Sequence, residues 1–274
     1  MSANEEAAGT VPEPLYERLR RGLKQVEIDG QPFYIAEGDL LLDESRLAKY
    51  ALERAAATGP AAAAAPVNET TPREELLGML ENGKIVRWKP GLVLSYCVLK
   101  RTFGDQAKYQ LARNSMQQAA WAWESTCGVK FEHKTALDES PTNTPEDVLF
   151  TVRELDTNGR FIAAAFFPND PANRRQVFID PSFYTTGFDK VGVLRHELGH
   201  VLGFRHEHIR SGAPPACDDE DTGDTVELTQ YDPRSVMHYF CGGVGTRELS
   251  ISELDRAASR GVYGPPLNEL SFFE

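Results

Sequence analysis

His196-Glu197-Leu198-Gly199-His200-Val201-Leu202-Gly203-Phe204-Arg205-His206 is the stretch on which the reading of this chain turns. His196 and His200 are four residues apart, so on a helix they stand one turn above each other and point the same way. Two imidazoles so placed can share one tetrahedral metal ion at about 2.0–2.1 Å each. Glu197 adjoins the first of them, beside the position the metal leaves open, where a carboxylate can take a proton from water. Gly203 can adopt the left-handed conformation that ends a helix and swings the chain back, returning His206 as a third ligand. Three neutral imidazoles leave zinc an exchangeable position, which is the arrangement of a catalytic site and not of a closed structural one. HExxH alone is a moderate signal. The five fixed positions HExxHxxGxxH together have a chance probability on the order of 10⁻⁵ in a chain of this length, against which a set of buried core histidines is the weaker explanation.

Working outward, the spacing predicts a helix from about Lys190 to Leu202 carrying the motif, and a last helix from near Ser252 to Tyr263-Gly264. Upstream, Asp105 to Cys127 is the longest helical pattern, with Ala112, Met116, Ala119 and Trp123 on one face and Gly128 as its stop. Strands are expected at about Leu92–Leu99, Val129–Phe131, Asp147–Val152, Phe161–Phe167 and Gln176–Asp180. Strands with one helix, a helix bearing the chemistry and a terminal helix make an α+β domain over residues 84–274. Residues 1–83 read separately: a short helix around Leu15, Leu19 and Leu23, then alternating Val26–Ile28 and Phe33–Ile35 around Asp29-Gly30, a hairpin signal. A helix follows from about Asp43 to Ala57, then a low-complexity Ala/Pro linker, AAATGPAAAAAPVNET. Thr71-Pro72-Arg73-Glu74 reads as a capping box opening a helix that stops at Gly83.

Composition narrows the function classes. The 274 residues carry 41 acidic and 29 basic side chains, net −12, which disfavours binding to nucleic acid or anionic membrane. No apolar run reaches the 18 or so residues of a membrane span, and a monomer is expected. The first residues, MSANEEAAGTVPEP, show neither a basic region nor an apolar one, so no signal peptide is readable and the compartment stays open between cytoplasm and leaderless export. Four cysteines, Cys97, Cys127, Cys217 and Cys241, include no CxxC pair; Cys97 with Cys127 and Cys217 with Cys241 is one guess at their pairing, free thiols the alternative. The acidic stretch Asp218–Asp224 offers oxygen ligands for calcium but lacks EF-hand spacing, and a solvated loop is the plainer reading.

With a second motif the sequence resembles the metzincin zinc endopeptidases: Asp232-Pro233-Arg234-Ser235-Val236-Met237-His238-Tyr239 is similar to their methionine-containing turn. The surroundings of Met237, the run His206-Glu207-His208-Ile209-Arg210 and the stretch Trp123–Phe131 look most like the astacin branch, particularly its bacterial members. Ala163–Pro168 and Leu249–Gly264 look more like matrixins. The resemblance implies a metzincin catalytic domain with a mixed twisted sheet, a long active-site helix and a C-terminal helix. It implies zinc held by His196, His200 and His206, Glu197 as general base and then acid, and Met237 as an apolar floor beneath the imidazoles. Tyr239 matches a tyrosine that coordinates zinc at rest and swings away to stabilise the oxyanion, a packed wall residue being the alternative. Glu207 matches a glutamate that pairs with the amino terminus of the processed enzyme, a simple capping or surface partner being the alternative. The family is mostly secreted. Its members hold an extended protein or peptide substrate by strand addition, for which Ile162, Ala163, Ala164 and Ala165 form the candidate edge.

Astacin pro-segments carry F-E-G-D, and Ala36-Glu37-Gly38-Asp39 matches three of those four positions. Asp39 is therefore expected to cap zinc in the full-length chain, making residues 1–83 an intramolecular inhibitor; an ordinary Gly-Asp turn is the alternative, and a thiolate switch through Cys97 a weaker one. The expectation is a zinc-dependent endopeptidase in latent form. Its rivals are a non-catalytic zinc domain used for binding, which Glu197 argues against, and a hydrolase of small non-protein substrates on the same scaffold.

Overall fold

The computed structural model describes residues 14–58, 76–209, 214 and 225–267. Helix α1 (Leu15–Gly22) leads into the strands β1 (Lys24–Ile28), β2 (Gln31–Ala36) and β3 (Leu40–Leu42), an antiparallel sheet in that order, and then helix α2 (Glu44–Thr58). The β1–β2 turn is Asp29-Gly30, with φ of 49° and 78°, the left-handed pair that a two-residue hairpin requires.

The helix expected to stop at Gly83 is not there. Thr71–Glu74 lies outside the described residues, and the segment that follows is β4 (Leu76–Glu81), hairpinned to β5 (Lys84–Ile85). The turn between them is Asn82-Gly83, φ 52° and 70°, the same signal as Asp29-Gly30. It outweighs the capping pattern because β4 finds partners on both sides: β5 and, across the molecule, β11 (Thr225–Leu228). Backbone bonds Met79 N to Gly203 O (2.9 Å) and Arg205 N to Leu77 O (2.8 Å) tie it to the chain just before His206.

The remaining elements follow the expected order: β6 (Val93–Val98), α3 (Gln106–Glu124), β7 (Lys130–His133), β8 (Phe150–Glu154), β9 (Ala163–Ala164), β10 (Gln176–Ile179), α4 (Lys190–Val201) and, after β11, α5 (Glu253–Tyr263). Asp105 caps α3 through Lys108 N, and Asp189 caps α4 through Gly192 N. The central sheet runs β7-β6-β8-β10-β9, parallel except for β9, which is antiparallel to β10 and outermost. The fold is thus α+β with a mixed sheet. Of the expected strand Phe161–Phe167, only Ala163 and Ala164 form β9, paired to Ile179 and Phe178. Ala112, Met116, Ala119 and Trp123 are all fully buried, and α3 meets α4 through Trp123, whose Nε1 donates to Arg195 O at 2.9 Å.

Cys97 and Cys127 are free thiols, not a disulfide: each is fully buried, with its pKa pushed up to about 12 by burial. Cys241 is disulfide-bonded, whereas Cys217 and the acidic stretch Asp218–Asp224 lie outside the described residues. No described helix is long and apolar enough to cross a membrane.

Residues 14–58 pack on the rest of the chain through two apolar contacts, Tyr34, Leu40, Leu42 and Leu47 against Met79, Val86 and Phe167, and Val26, Ile28 and Ile35 against Phe161, Ala164 and Phe178. Ion pairs cross the same boundary: Asp29 with Arg153 (2.7 Å), Arg46 with Asp170 (2.9 Å), Asp43 with Arg174 and Glu37 with Arg205.

At the other end, α5 braces the methionine turn. Ser252 and Asp255 form a capping box, and the fully buried Asp255 carboxylate also accepts from Ser235 Oγ (2.6 Å) and Val236 N (2.8 Å). Asp255→Ala leaves two buried donors, Ser235 Oγ and Val236 N, without their acceptor and is expected to cost roughly 3 kcal/mol of stability, read from the urea unfolding midpoint.

Candidate active site

Helix α4 carries His196, Glu197 and His200, all buried, and ends in a glycine stop. Gly203 holds φ at 93°, Gly203 N bonds to His200 O (2.8 Å) and Phe204 N to Gly199 O (2.9 Å), the two bonds of a Schellman motif. The reversal brings His206 Nε2 to 3.2 Å from His196 Nε2 and 3.1 Å from His200 Nε2.

The outer nitrogen of each ring shows which hydrogen it bears. His196 Nδ1 lies 2.7 Å from Val236 O, His200 Nδ1 2.8 Å from Phe204 O and His206 Nδ1 3.1 Å from Glu37 Oε2. These partners only accept, so Nδ1 is the donor in every ring and the Nε2 lone pairs face one another. Three converging lone pairs repel unless a cation lies among them. Ligands about 2.0–2.1 Å from a common tetrahedral ion stand roughly 3.3 Å apart, close to the spacing seen. A carboxylate completes the set: Asp39 Oδ1 lies 3.3 Å from His206 Nε2 and 3.6 Å from His200 Nε2, and Oδ2 lies 3.4 Å from His196 Nε2. All four donor atoms fall within 4.8 Å of one another, and a divalent ion with nitrogen and oxygen ligands, zinc, fits them.

Asp39 arrives from the β2–β3 turn, Glu37-Gly38, whose φ values are 52° and 93°. A Cβ on Gly38 would stand 2.9 Å from Tyr239 Cε2, so only glycine lets this turn lie against the ring. Tyr239 Oη donates to Asp39 Oδ2, and its ring stacks on His196 with centroids 5.3 Å apart. Met237 is fully buried in the main core, and its carbonyl accepts from Glu207 N at 2.9 Å. Glu207, also fully buried, accepts from Asp232 N at 2.9 Å, tying the third histidine's neighbour to the start of the methionine turn.

The electrostatics follow from burial. Burial raises the Glu197 carboxyl well above the usual range, and the Asp39 charge adds to it. Burial also lifts Asp39, but the His206 and His200 charges outweigh it and hold that group well below its ordinary value. Burial lowers His200 to about 4; it acts on His206 too, where Asp39 and Glu37 prevail and raise the ring to about 9, an affinity for positive charge that a cation at Nε2 would satisfy in place of a proton. Burial, and then the Asp39 charge, keeps the Tyr239 phenol protonated. Glu197 opens on a cavity of about 400 Å³ walled by Ile162, Ala163, Phe188, Val193 and Leu249. The outer strand β9 borders it through Ala163, next to Ile162, while Ala164 and the adjoining Ala165 are buried away from it.

Comparison with known families now bears on the site. The Matrixin peptidase model matches residues 87–241, which include the three histidines and the methionine turn. The chain belongs to the matrixin family. Matrixins are metzincins, so this matrixin is a zinc-dependent peptidase, and its family acts on peptide bonds. Among solved structures, myroilysin is 18% identical, with a TM-score of 0.46, over 65% of this chain and 95% of that one. High choriolytic enzyme 1, a hatching-enzyme zinc protease from the medaka fish Oryzias latipes, is 17% identical, with a TM-score of 0.41, over 66% and 95%. No curated protein matches the chain significantly.

Two groups at the site were missed by sequence reasoning. Sequence reasoning gave Glu37 no role beyond its place in Ala36-Glu37-Gly38-Asp39, although its carboxylate meets both Arg205 and His206. Asp255 was absorbed into a helix start, although Ser-x-x-Asp before an amphipathic run is a capping signal that could have marked it. The purified protein is expected to hold about one zinc per chain by elemental analysis, and His206→Ala to lower that occupancy at least tenfold.

Proposed function

We propose that this chain is a latent zinc endopeptidase with an astacin-like site, in which residues 1–83 are the pro-segment, 84–274 the catalytic domain and Asp39 the residue that caps the metal. The observation that supports it is the Asp39 carboxylate, 3.3–3.6 Å from each of three imidazole nitrogens contributed by the rest of the chain. His196, His200 and His206 are the resident ligands in this reading, and the bound zinc supplies Lewis acidity that polarises a scissile carbonyl and acidifies water.

The chain's own groups do the rest. Withdrawal of Asp39 frees the space in front of the imidazoles and releases Tyr239 Oη, which then donates to the carbonyl oxygen as negative charge develops. Glu197, whose pKa burial has raised, takes the proton of the attacking water and delivers it to the departing amine. An extended substrate adds to the outer edge at Ile162–Ala165 through its backbone, and the neighbouring cavity receives one of its side chains. Cleavage ahead of residue 85 would present a new amino terminus, for which the buried Glu207 carboxylate is the candidate partner. Calcium forms no part of this reading.

Glu197→Gln is expected to retain zinc while losing about 10²–10⁴-fold in kcat/KM on a casein-derived peptide, and chelation to abolish activity in the parent. Asp39→Ala in the full-length chain is expected to cleave the same peptide faster than the parent; equal rates would refute latency.

A further inference from the structure

Two of the three imidazoles are oriented by the catalytic part itself, through the carbonyls of Val236 and Phe204. The third is not. His206 Nδ1 donates to Glu37 Oε2 at 3.1 Å, and Glu37 lies 169 residues upstream, in the N-terminal segment. The other Glu37 oxygen accepts from Arg205 Nη2. The Glu37 side chain is 1% exposed and those of Arg205 and His206 are 6% and 0%, so water does not stand in for these contacts. Glu37 also holds φ at +52°, a conformation unfavourable for a glutamate and sustained here by the contacts its side chain makes.

A carboxylate behind a metal-binding imidazole fixes its tautomer and orientation and makes the opposite nitrogen a better donor than a carbonyl partner does. We propose that Glu37 is the positioning carboxylate of the third metal ligand, so that the N-terminal segment completes the metal centre on two levels: Asp39 among the donors and Glu37 behind His206. The full-length chain then holds zinc more tightly than a chain from which the segment has withdrawn, and activation loosens the metal as it opens the site. The inference rests on the reading of residues 1–83 as a pro-segment over a zinc site, and the experiment separates the two.

The full-length chain and its variants are loaded with zinc and titrated against a chromophoric chelator, and cobalt-substituted samples give visible absorption spectra. Glu37→Ala is expected to weaken zinc binding about 10–100-fold and to alter the cobalt bands. Glu37→Gln, which keeps an acceptor for His206 Nδ1 but only a carbonyl one, is expected to weaken zinc binding less than Glu37→Ala does. Glu37→Leu combined with Arg205→Met removes the ion pair as a unit, fills its volume and is expected to match Glu37→Ala, which covers the case in which alanine does not fold. Parent-like zinc affinity in Glu37→Ala or in the double variant overturns the proposal. Equal weakening in the Ala and Gln variants with unchanged cobalt bands also overturns it, since only docking of the segment would then have been lost. Asp39→Ala is the separate control. Undiminished zinc affinity there, with weakening in Glu37→Ala, fails the Asp39 reading and leaves this proposal standing; the reverse pattern does the opposite.

Discussion

Three imidazole lone pairs aimed at one point repel one another, and everything around this site serves to hold them there against that repulsion until a cation relieves it. The rings cannot turn away because each outer nitrogen is already engaged, by Val236 O, Phe204 O or Glu37. Those acceptors are fixed in turn. Val236 lies in the methionine turn, pinned by Asp255 from α5 and by Glu207 beside the third histidine. Phe204 lies in the helix stop, stacked on Trp123 of α3. The scaffold is therefore a set of second contacts to three nitrogen atoms.

The N-terminal segment belongs to this network as much as the catalytic part does. Its apolar face covers Phe161, Phe167 and Phe178 around the outer strand, while its acids meet arginines on the other side. Apolar contact supplies adhesion without direction. The pairs of Glu37 with Arg205 and Asp43 with Arg174 supply register, because a buried or half-buried carboxylate shifted by one residue would face no cation. Register matters here, since a slip of one position in the β2–β3 turn would carry Asp39 out of reach of the imidazoles.

Much was legible along the chain because its signals are local. The i, i+4 histidines, the glycine stop, the helical periodicity of α3 and the Asp29-Gly30 hairpin each depend on neighbours a few residues away, and each is found in place. The errors also have local causes. A capping pattern at 71–74 was given more weight than Asn82-Gly83, although β4 is held by β11 from far along the chain. Cysteine pairing rested on order, whereas Cys97 in β6 and Cys127 after α3 are each fully buried as free thiols.

What the sequence determined by itself was the chemistry: three imidazoles, one carboxylate beside them, and the helix geometry that makes two of the rings converge, all within eleven residues and governed by backbone periodicity. Only the tertiary structure decided what surrounds that chemistry. Asp39 reaching the imidazoles, Glu37 standing behind His206, and Asp255 bracing the methionine turn are contacts between groups 19 to 169 residues apart. No periodicity links such groups; their meeting follows from how the sheets and helices pack, and from the cost of burying any of these charges without a partner.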